Sequence, residues 1–207
     1  MDALILPIGH CLGVSWDPAT DTVEHRVRRG TEIATLDTER FGLWALAHGV
    51  PQRQVDELWT KDSVLDIADE MGLAEPEPLL AELLSDGLLV EVDPAEEPTI
   101  AFARRHRMIP LMLGLGNTAE EPDVFQIGLP GRPLVGVPAV AYDLFGWAHL
   151  DPDLWTACRS AAELNKQLWP DDPTATDPEQ LVGALLGILH VLLGPNAVYL
   201  DVARDDD

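Results

Sequence analysis

The sequence contains little positive charge. Lysine and arginine together number 13 against 36 aspartate and glutamate residues, so the formal net charge is −23. Two lysines occur, Lys61 and Lys166. Such a charge repels nucleic acid and anionic lipid at long range. It keeps the chain soluble, and it would also attract a basic partner or imitate the charge of a nucleic acid.

Cysteines and long apolar runs are also scarce. Cys11 and Cys158 are expected to be free thiols in a reducing compartment rather than a disulfide. The longest apolar run, 181–193, has 13 residues and is too short to cross a bilayer. The N-terminus lacks the basic segment that begins a signal peptide. We therefore expect a cytoplasmic protein that does not contact membranes.

Familiar motifs of catalysis and metal binding are missing from the sequence. It has no CxxC, no GxSxG and no Walker loop, and none of its six histidines forms a helical zinc pair. His48 and His149, each expected at a helix end, are interpreted as contacts of the helix dipole or as paired pH-sensitive groups. The sequence thus predicts no catalytic residue, no metal and no cofactor.

What the sequence does contain is a duplication. Residues 36–48 and 137–149 carry one pattern, 101 positions apart. The matched pairs are Phe41 with Tyr142, Leu43 with Leu144, Trp44 with Phe145, Ala47 with Ala148, and His48 with His149. Further blocks match at similar spacing: 5–13 with 108–116, 23–36 with 124–137, 58–60 with 154–156, and 75–84 with 177–186. Spacing changes confined to loops are typical of duplicated domains.

The duplication predicts two domains, residues 1–97 and 98–207. The boundary is placed near 94–99, where proline and acidic residues interrupt the apolar pattern. Each copy is long enough for a core of its own. Gly30 and Gly131 are expected at the same turn position of a hairpin in the two copies.

Each copy is predicted to be α+β, with a short strand, a hairpin, three helices and a closing strand. In copy one the first helix begins at Asp37 or Thr38, and Phe41, Trp44 and His48 share one of its faces. The second helix covers about 63–71, the third follows Pro76, and strand 88–92 closes the copy. The counterpart of that strand begins at Val198.

Three segments of copy one carry a family resemblance: LDTERFGLW, DSVLDIADEMG and PLLAELLSDGLLVEV. Three helices flanked by short strands resemble the winged-helix superfamily. The hairpin that precedes the helices is similar to the PqqD-like peptide-recognition domain. The resemblance implies two tandem winged-helix-like domains, each a short β-hairpin or sheet plus three helices. Copy two departs from the pattern, because its third helix is apolar nearly all round.

The PqqD-like resemblance implies that a peptide binds as an added strand between the hairpin edge and the third helix. In copy one the matching surfaces are Val23, His25 and Val27 with Leu79 and Leu83. In copy two they are Phe125, Ile127 and Leu129 with Leu181 and Leu185. The other interpretation of all these residues is that they belong to the core.

The two hairpins differ in character when aligned 101 positions apart. Phe125, Ile127 and Leu129 then stand where copy one has Glu24, Arg26 and Arg28. An apolar face on a hairpin needs a cover. We expect these three residues in a domain–domain or subunit interface, which would allow a homodimer.

Direct DNA reading by the third helices is disfavoured, because such helices use basic or amide side chains in the groove. Here they carry carboxylates, Glu77, Glu82, Asp86, Asp177 and Glu179. The leading hypothesis is a non-enzymatic adaptor or recognition module that binds a protein or peptide. The first alternative is a transcription-associated regulator that contacts DNA through hairpin arginines Arg26, Arg28 and Arg29. The second is an enzyme of unrecognised class.

Overall fold

Among the described residues, the second half of the chain repeats the order of elements of the first half and adds a 3₁₀ turn and a short helix. The computed structural model describes residues 3–50 and 58–204. The first half contains β1 (Leu4–Pro7), β2 (His10–Asp17), β3 (Thr22–Arg29), β4 (Glu32–Leu36), α1 (Thr38–Leu46), α2 (Lys61–Glu70), α3 (Pro76–Ser85) and β5 (Leu89–Val92). Helix α4 (Glu96–Ala103) follows. The second half contains β6 (His106–Pro110), β7 (Leu113–Gly116), β8 (Phe125–Leu129), β9 (Arg132–Val137), α5 (Ala139–Trp147), a 3₁₀ turn (Ala148–Leu150), α6 (Leu154–Leu168), α7 (Pro173–Thr176), α8 (Pro178–Leu193) and β10 (Val198–Val202).

Strand pairing is also the same in both halves. The first strand pairs antiparallel with the last, β1 with β5 and β6 with β10. The three strands between form antiparallel sheets in the orders β2-β3-β4 and β7-β8-β9. The mixed helix-and-strand fold class predicted from the sequence is confirmed. The assignment of each half to the winged-helix superfamily stays a prediction.

Several helix starts follow from local sequence. The Asp37 carboxylate accepts a hydrogen bond from the Arg40 backbone N–H at 2.8 Å and caps α1, as predicted. Thr60 and Ser63 form a capping box at α2. The predicted domain boundary between residues 97 and 98 falls inside α4. Pro98 is tolerated there because the first turn of a helix has no intrahelical acceptor for its N–H.

Strand β1 is shared between two apolar cores. Ile5 packs with the helices of the first half, in a core that includes Leu43, Trp44 and Leu80. The residues on either side, Leu4 and Leu6, join the core of the second half. Successive side chains of a strand point to opposite faces, so β1 is buried on both. The two halves therefore share apolar interior.

Polar contacts also join the first hairpin to strand β10. The Gly30 N–H donates to Asp201 Oδ1 at 2.6 Å, and the Gly9 N–H donates to the Leu200 carbonyl at 2.7 Å. Arg28 lies 3.4 Å from the buried Asp201 carboxylate and donates to the Tyr199 hydroxyl at 2.8 Å. The hairpin of the first half is thereby held against the closing strand of the second.

The structure corrects the alignment of the two hairpins. Phe125 pairs with Val137 as His25 pairs with Leu36, so Phe125 corresponds to His25 and not to Glu24. The reason is a bulge: Ile127 pairs with Val135 and Gly128 with Pro133, which leaves one extra residue in β9. A one-residue shift exchanges the two faces of a strand. In the corrected alignment Ile127 stands where the first half has Val27, and Leu129 stands where it has Arg29.

Two smaller equivalences also differ from expectation. Gly30 is the first residue of its two-residue turn, with φ +56°, whereas Gly131 is the second, with φ +74°, after Pro130. A positive φ at the first central residue is typical of a type II′ turn and at the second of a type II turn. The match of 58–60 with 154–156 is not structural either, because Leu58 is exposed and Leu154 is buried.

The apolar run 181–193 lies within α8, which has 16 residues. Across residues 3–50 and 58–204, the structure contains no helix with the length and apolar character needed to cross a membrane.

Candidate functional site

Strand β4 offers a free edge. Strand β3 lies in the middle of its sheet and pairs with β2 on one side and β4 on the other. Within the described part of the chain, β4 pairs with β3 alone. An unpaired edge presents backbone N–H and C=O groups that can bond another strand. The sheet edge available for strand addition in this half therefore includes β4, while β3, where the sequence placed the site, has none.

A groove of about 470 Å³ runs beside this edge. Its lining, which we term the β4 groove, consists of Arg29, Glu32, Ile33, Ala34, Asp86 and Leu88. Leu88 is buried, and Ile33 is 57% exposed. The groove thus combines a free backbone edge with apolar side chains and with the residues that follow helix α3.

Two arginines contact Asp86, which follows helix α3 and lines the β4 groove. Arg29 Nη1 donates to the Asp86 carbonyl at 2.6 Å, and its Nη2 donates to the Glu32 carboxylate at 3.1 Å. A side chain at Gly87, which has φ +66°, would collide with the Arg29 guanidinium. Arg40 lies 2.6 Å from the Asp86 carboxylate. Glycine at this position lets Arg29 reach the end of α3.

The β4 groove nevertheless keeps exposed negative charge. The side chains of Glu32 and Asp86 are 76% and 52% exposed although each contacts an arginine. The C-terminal end of a helix also carries partial negative charge on its carbonyls. Negative charge is therefore accessible in this groove, next to the arginines that pair with it.

The predicted peptide-binding residues of copy one differ in how deeply they are buried. Val27 and Leu83 are fully buried in the first core. His25 is half-buried, and its ring stacks on Phe41 with centroids 4.1 Å apart. Leu79 is half-buried against the same core, and Val23 is exposed. The core interpretation therefore holds for Val27 and Leu83, which cannot contact a peptide.

The predicted residues of copy two are also largely interior. Leu181, Leu185 and Ile127 are buried in the second core. Phe125 is half-buried beside Tyr142, with ring centroids 5.0 Å apart, and Leu129 is exposed. Ile127 thus lies in the second core, which also contains Leu4 and Leu6 of the first half, and the three hairpin residues do not form one uncovered face.

Two of the three hairpin arginines are used inside the protein. Arg28 contacts Asp201 and Tyr199, and Arg29 contacts Glu32 and Asp86. The Arg26 guanidinium lies 3.5 Å from the Ser15 hydroxyl on the neighbouring strand. Arginines that hold the hairpin in place are poorly suited to bind phosphates, so this arrangement weighs against the DNA-contacting alternative.

A second cleft, of about 430 Å³, lies between the halves and is lined by His10, Cys11, His48 and Tyr199 among others. Burial lowers the pKa of His48 to about 4, and burial with nearby Arg28 lowers that of His10. Both imidazoles are therefore neutral at pH 7. In residues 3–50 and 58–204, no cluster of three or more His, Cys, Asp or Glu side chains is arranged to hold a metal ion.

Family models, curated proteins and solved structures show no match to this chain.

The β4 edge was missed because strand β2 was not recognised in the sequence. Gly13, which has φ +96°, sits at a bulge in β2 and makes its sequence resemble a turn. The alternation of β-branched and aromatic residues at Val14 and Trp16 was the available signal. Because β2 pairs with β3, β3 is the central strand of the sheet and β4 is an edge strand.

Proposed function

We propose that this chain is a non-enzymatic recognition protein that binds an extended segment of a partner polypeptide as an added strand along β4. The observation that carries the proposal is the unpaired β4 edge beside the β4 groove. Backbone hydrogen bonds would supply affinity, and the pocket beside Ile33 and Leu88 would supply side-chain selectivity.

The proposal specifies the bound segment. Strand β4 has five residues, so an added strand spans about 17 Å along it. Alternate side chains of that strand face the groove, which favours apolar residues at every second position. The exposed Glu32 and Asp86 carboxylates favour Lys or Arg beside them. The expected ligand is a short, basic segment with alternating apolar residues.

The test begins with selection of peptides from a random displayed library on the intact chain. We expect enriched sequences to combine alternating apolar residues with Lys or Arg. Ile33→Lys should weaken their binding at least ~10-fold, because it removes an apolar contact and repels a basic strand. The matched control is Met71→Lys, since Met71 is 71% exposed and follows α2, outside the β4 groove.

Amide hydrogen exchange measured by NMR reports the binding mode. Strand addition should slow exchange at backbone amides of Glu32–Leu36 when peptide is bound. Selected peptides that bind Ile33→Lys and Met71→Lys equally well, or that leave β4 exchange unchanged, would contradict the proposal.

A further inference from the structure

An apolar groove lies on the second half, between α5, the 3₁₀ turn and α6. Its volume is about 560 Å³. We term it the α5–α6 groove and define it by Asp143, Trp147, Leu150, Asp151, Leu164 and Leu168. Its four large apolar side chains are well exposed: Trp147 66%, Leu150 60%, Leu164 57% and Leu168 58%. Single exposed apolar residues are ordinary, but four around one groove indicate a surface that a partner covers.

The shape of the α5–α6 groove suits a helix. Ala157, Ala161, Leu164 and Leu168 recur at helical spacing and all line it from α6. The two alanines leave room over the first part of α6, and the two leucines form a wall over the rest. Helix α6 has 15 residues and so is about 22 Å long. A partner helix of about four turns could lie along it with its large side chains over the alanines.

The charge at the α5–α6 groove is negative. Among the described residues that line it, the ionisable side chains are those of Asp143 and Asp151. Asp143 is an exposed residue, and partial burial of its carboxylate raises its pKa, so a nearby cation would stabilise the charged form. Arg204 is held at one end, where it donates to the carbonyls of Leu150 and Asp151 at 2.9 and 3.2 Å. The opening therefore presents carboxylates around an apolar floor.

A second copy of this chain is a poor occupant. Two such grooves placed face to face would bring Asp143 and Asp151 against like charges, and each chain carries a net charge of −23. Like charges across an interface oppose association. The acidic surroundings select a partner of opposite sign.

We propose that the α5–α6 groove binds an amphipathic, basic helix of another polypeptide. Its apolar face lies over Ala157 and Ala161 and against Trp147 and Leu164, and its Lys or Arg side chains lie beside Asp143 and Asp151. This mode of recognition is helix-in-groove binding. It uses a different half and a different mechanism from strand addition at β4.

The probe is a labelled synthetic peptide of about 16 residues, or four turns, with Leu along one face and Lys along the other. One control peptide has the same composition reordered so that Leu occupies all faces. A second control carries Glu in place of Lys. Fluorescence anisotropy should show binding of the first peptide, with binding at least ~10-fold weaker for each control.

Protein variants locate the binding surface. Leu164→Asp should weaken binding of the amphipathic peptide at least ~10-fold. The added negative charge would strengthen any non-specific attraction to a basic peptide, so such a loss would be specific to the groove. Trp147→Ala should also weaken it. Met71→Asp carries the same charge change on an exposed residue of the first half and should bind normally. Ile33→Lys should bind normally as well, which separates this site from the β4 groove.

Several results would overturn the proposal. One is that the reordered peptide binds as tightly as the amphipathic peptide. Another is that Leu164→Asp and Met71→Asp weaken binding of the amphipathic peptide equally. A third is self-association of the wild-type chain in light scattering that Leu164→Asp abolishes, since that would make a second copy the occupant. If the Leu164→Asp variant still binds the peptide and the Ile33→Lys variant does not, the peptide binds in the β4 groove instead.

Discussion

Three imidazoles are enclosed in the interior of the protein, and each is bonded to a backbone carbonyl. His48 Nδ1 lies 3.1 Å from the Trp44 carbonyl, His106 Nδ1 lies 2.9 Å from that of Phe102, and His190 Nε2 lies 2.9 Å from that of Ile5. Burial lowers the pKa of each to about 4. His48 does contact a carbonyl at the end of α1, as expected, but as a neutral ring rather than a cation at the helix dipole.

These buried histidines make stability depend on pH. Their pKa is about 4 in the folded state and 6.5 unfolded, so between these values the unfolded chain binds more protons. The free energy of unfolding should therefore fall as pH decreases from 6.5 to 4, by on the order of 3 kcal/mol for each histidine. Urea denaturation at a series of pH values measures this.

The variant His190→Gln isolates one contribution to this dependence. Glutamine retains a hydrogen-bond donor for the Ile5 carbonyl but does not titrate. The part of the pH dependence between 6.5 and 4 that the three buried histidines contribute should fall by about one third. An unchanged slope would show that His190 does not contribute.

At the scale of elements, the hairpin β3–β4 depends on a strand of the other half. Asp201 is 4% exposed, accepts the Gly30 N–H and pairs with Arg28. Arg28 in turn donates to Tyr199. One carboxylate on β10 therefore organises the turn end of the hairpin that carries the β4 edge.

Replacing Asp201 should loosen that hairpin. Asp201→Ala removes the acceptor of the Gly30 N–H and leaves Arg28 without its carboxylate partner. Because Arg28 is partly exposed to solvent, we expect the free energy of unfolding to fall by roughly 2–3 kcal/mol. Asp201→Asn should cost less because its carbonyl can still accept from Gly30. Denaturation measures both, and hydrogen exchange should quicken in Thr22–Arg29 and Glu32–Leu36. Equal stability of the two variants would argue against the Gly30 contact.

Over the whole molecule, the two halves are joined through β1. Ile5 and Leu6 are adjacent and both fully buried, yet they enter different cores. Separating β1 from the core of the second half would expose the apolar surface that Leu4 and Leu6 cover. The repeated element order therefore does not imply two independent folding units.

Shared burial predicts a single unfolding transition. Ile5→Ala and Leu6→Ala should each lower the unfolding free energy by about 2–5 kcal/mol, as expected for truncated core residues. In each variant the slowest-exchanging amides of α1 and α8 should report the same opening free energy. Val14→Ala, at an exposed position of β2, is the matched control. Two separable transitions in calorimetry would contradict a shared core.

Local sequence was sufficient for much of the element order. Helix starts at Asp37 and Pro76 and the strand after Gly87 were predicted because caps, prolines and glycines act on their immediate neighbours. Helix α4 was missed because its Glu- and Pro-rich start resembles a loop. Of the candidate peptide-binding residues, Val27 and Leu83 lie in the core, and the sequence left both interpretations open because an apolar pattern does not distinguish the core from a ligand pocket.

The sequence alone determined that two similar units follow one another, with a matching order of strands and helices, because periodicity and turn chemistry are local properties. Only the tertiary structure decided that β1 serves both cores, that β9 contains a bulge and that β4 is an edge. It also decided which apolar residues remain exposed around the α5–α6 groove. The physical reason is that strand partners and burial are set by residues distant in the chain, which no local pattern specifies.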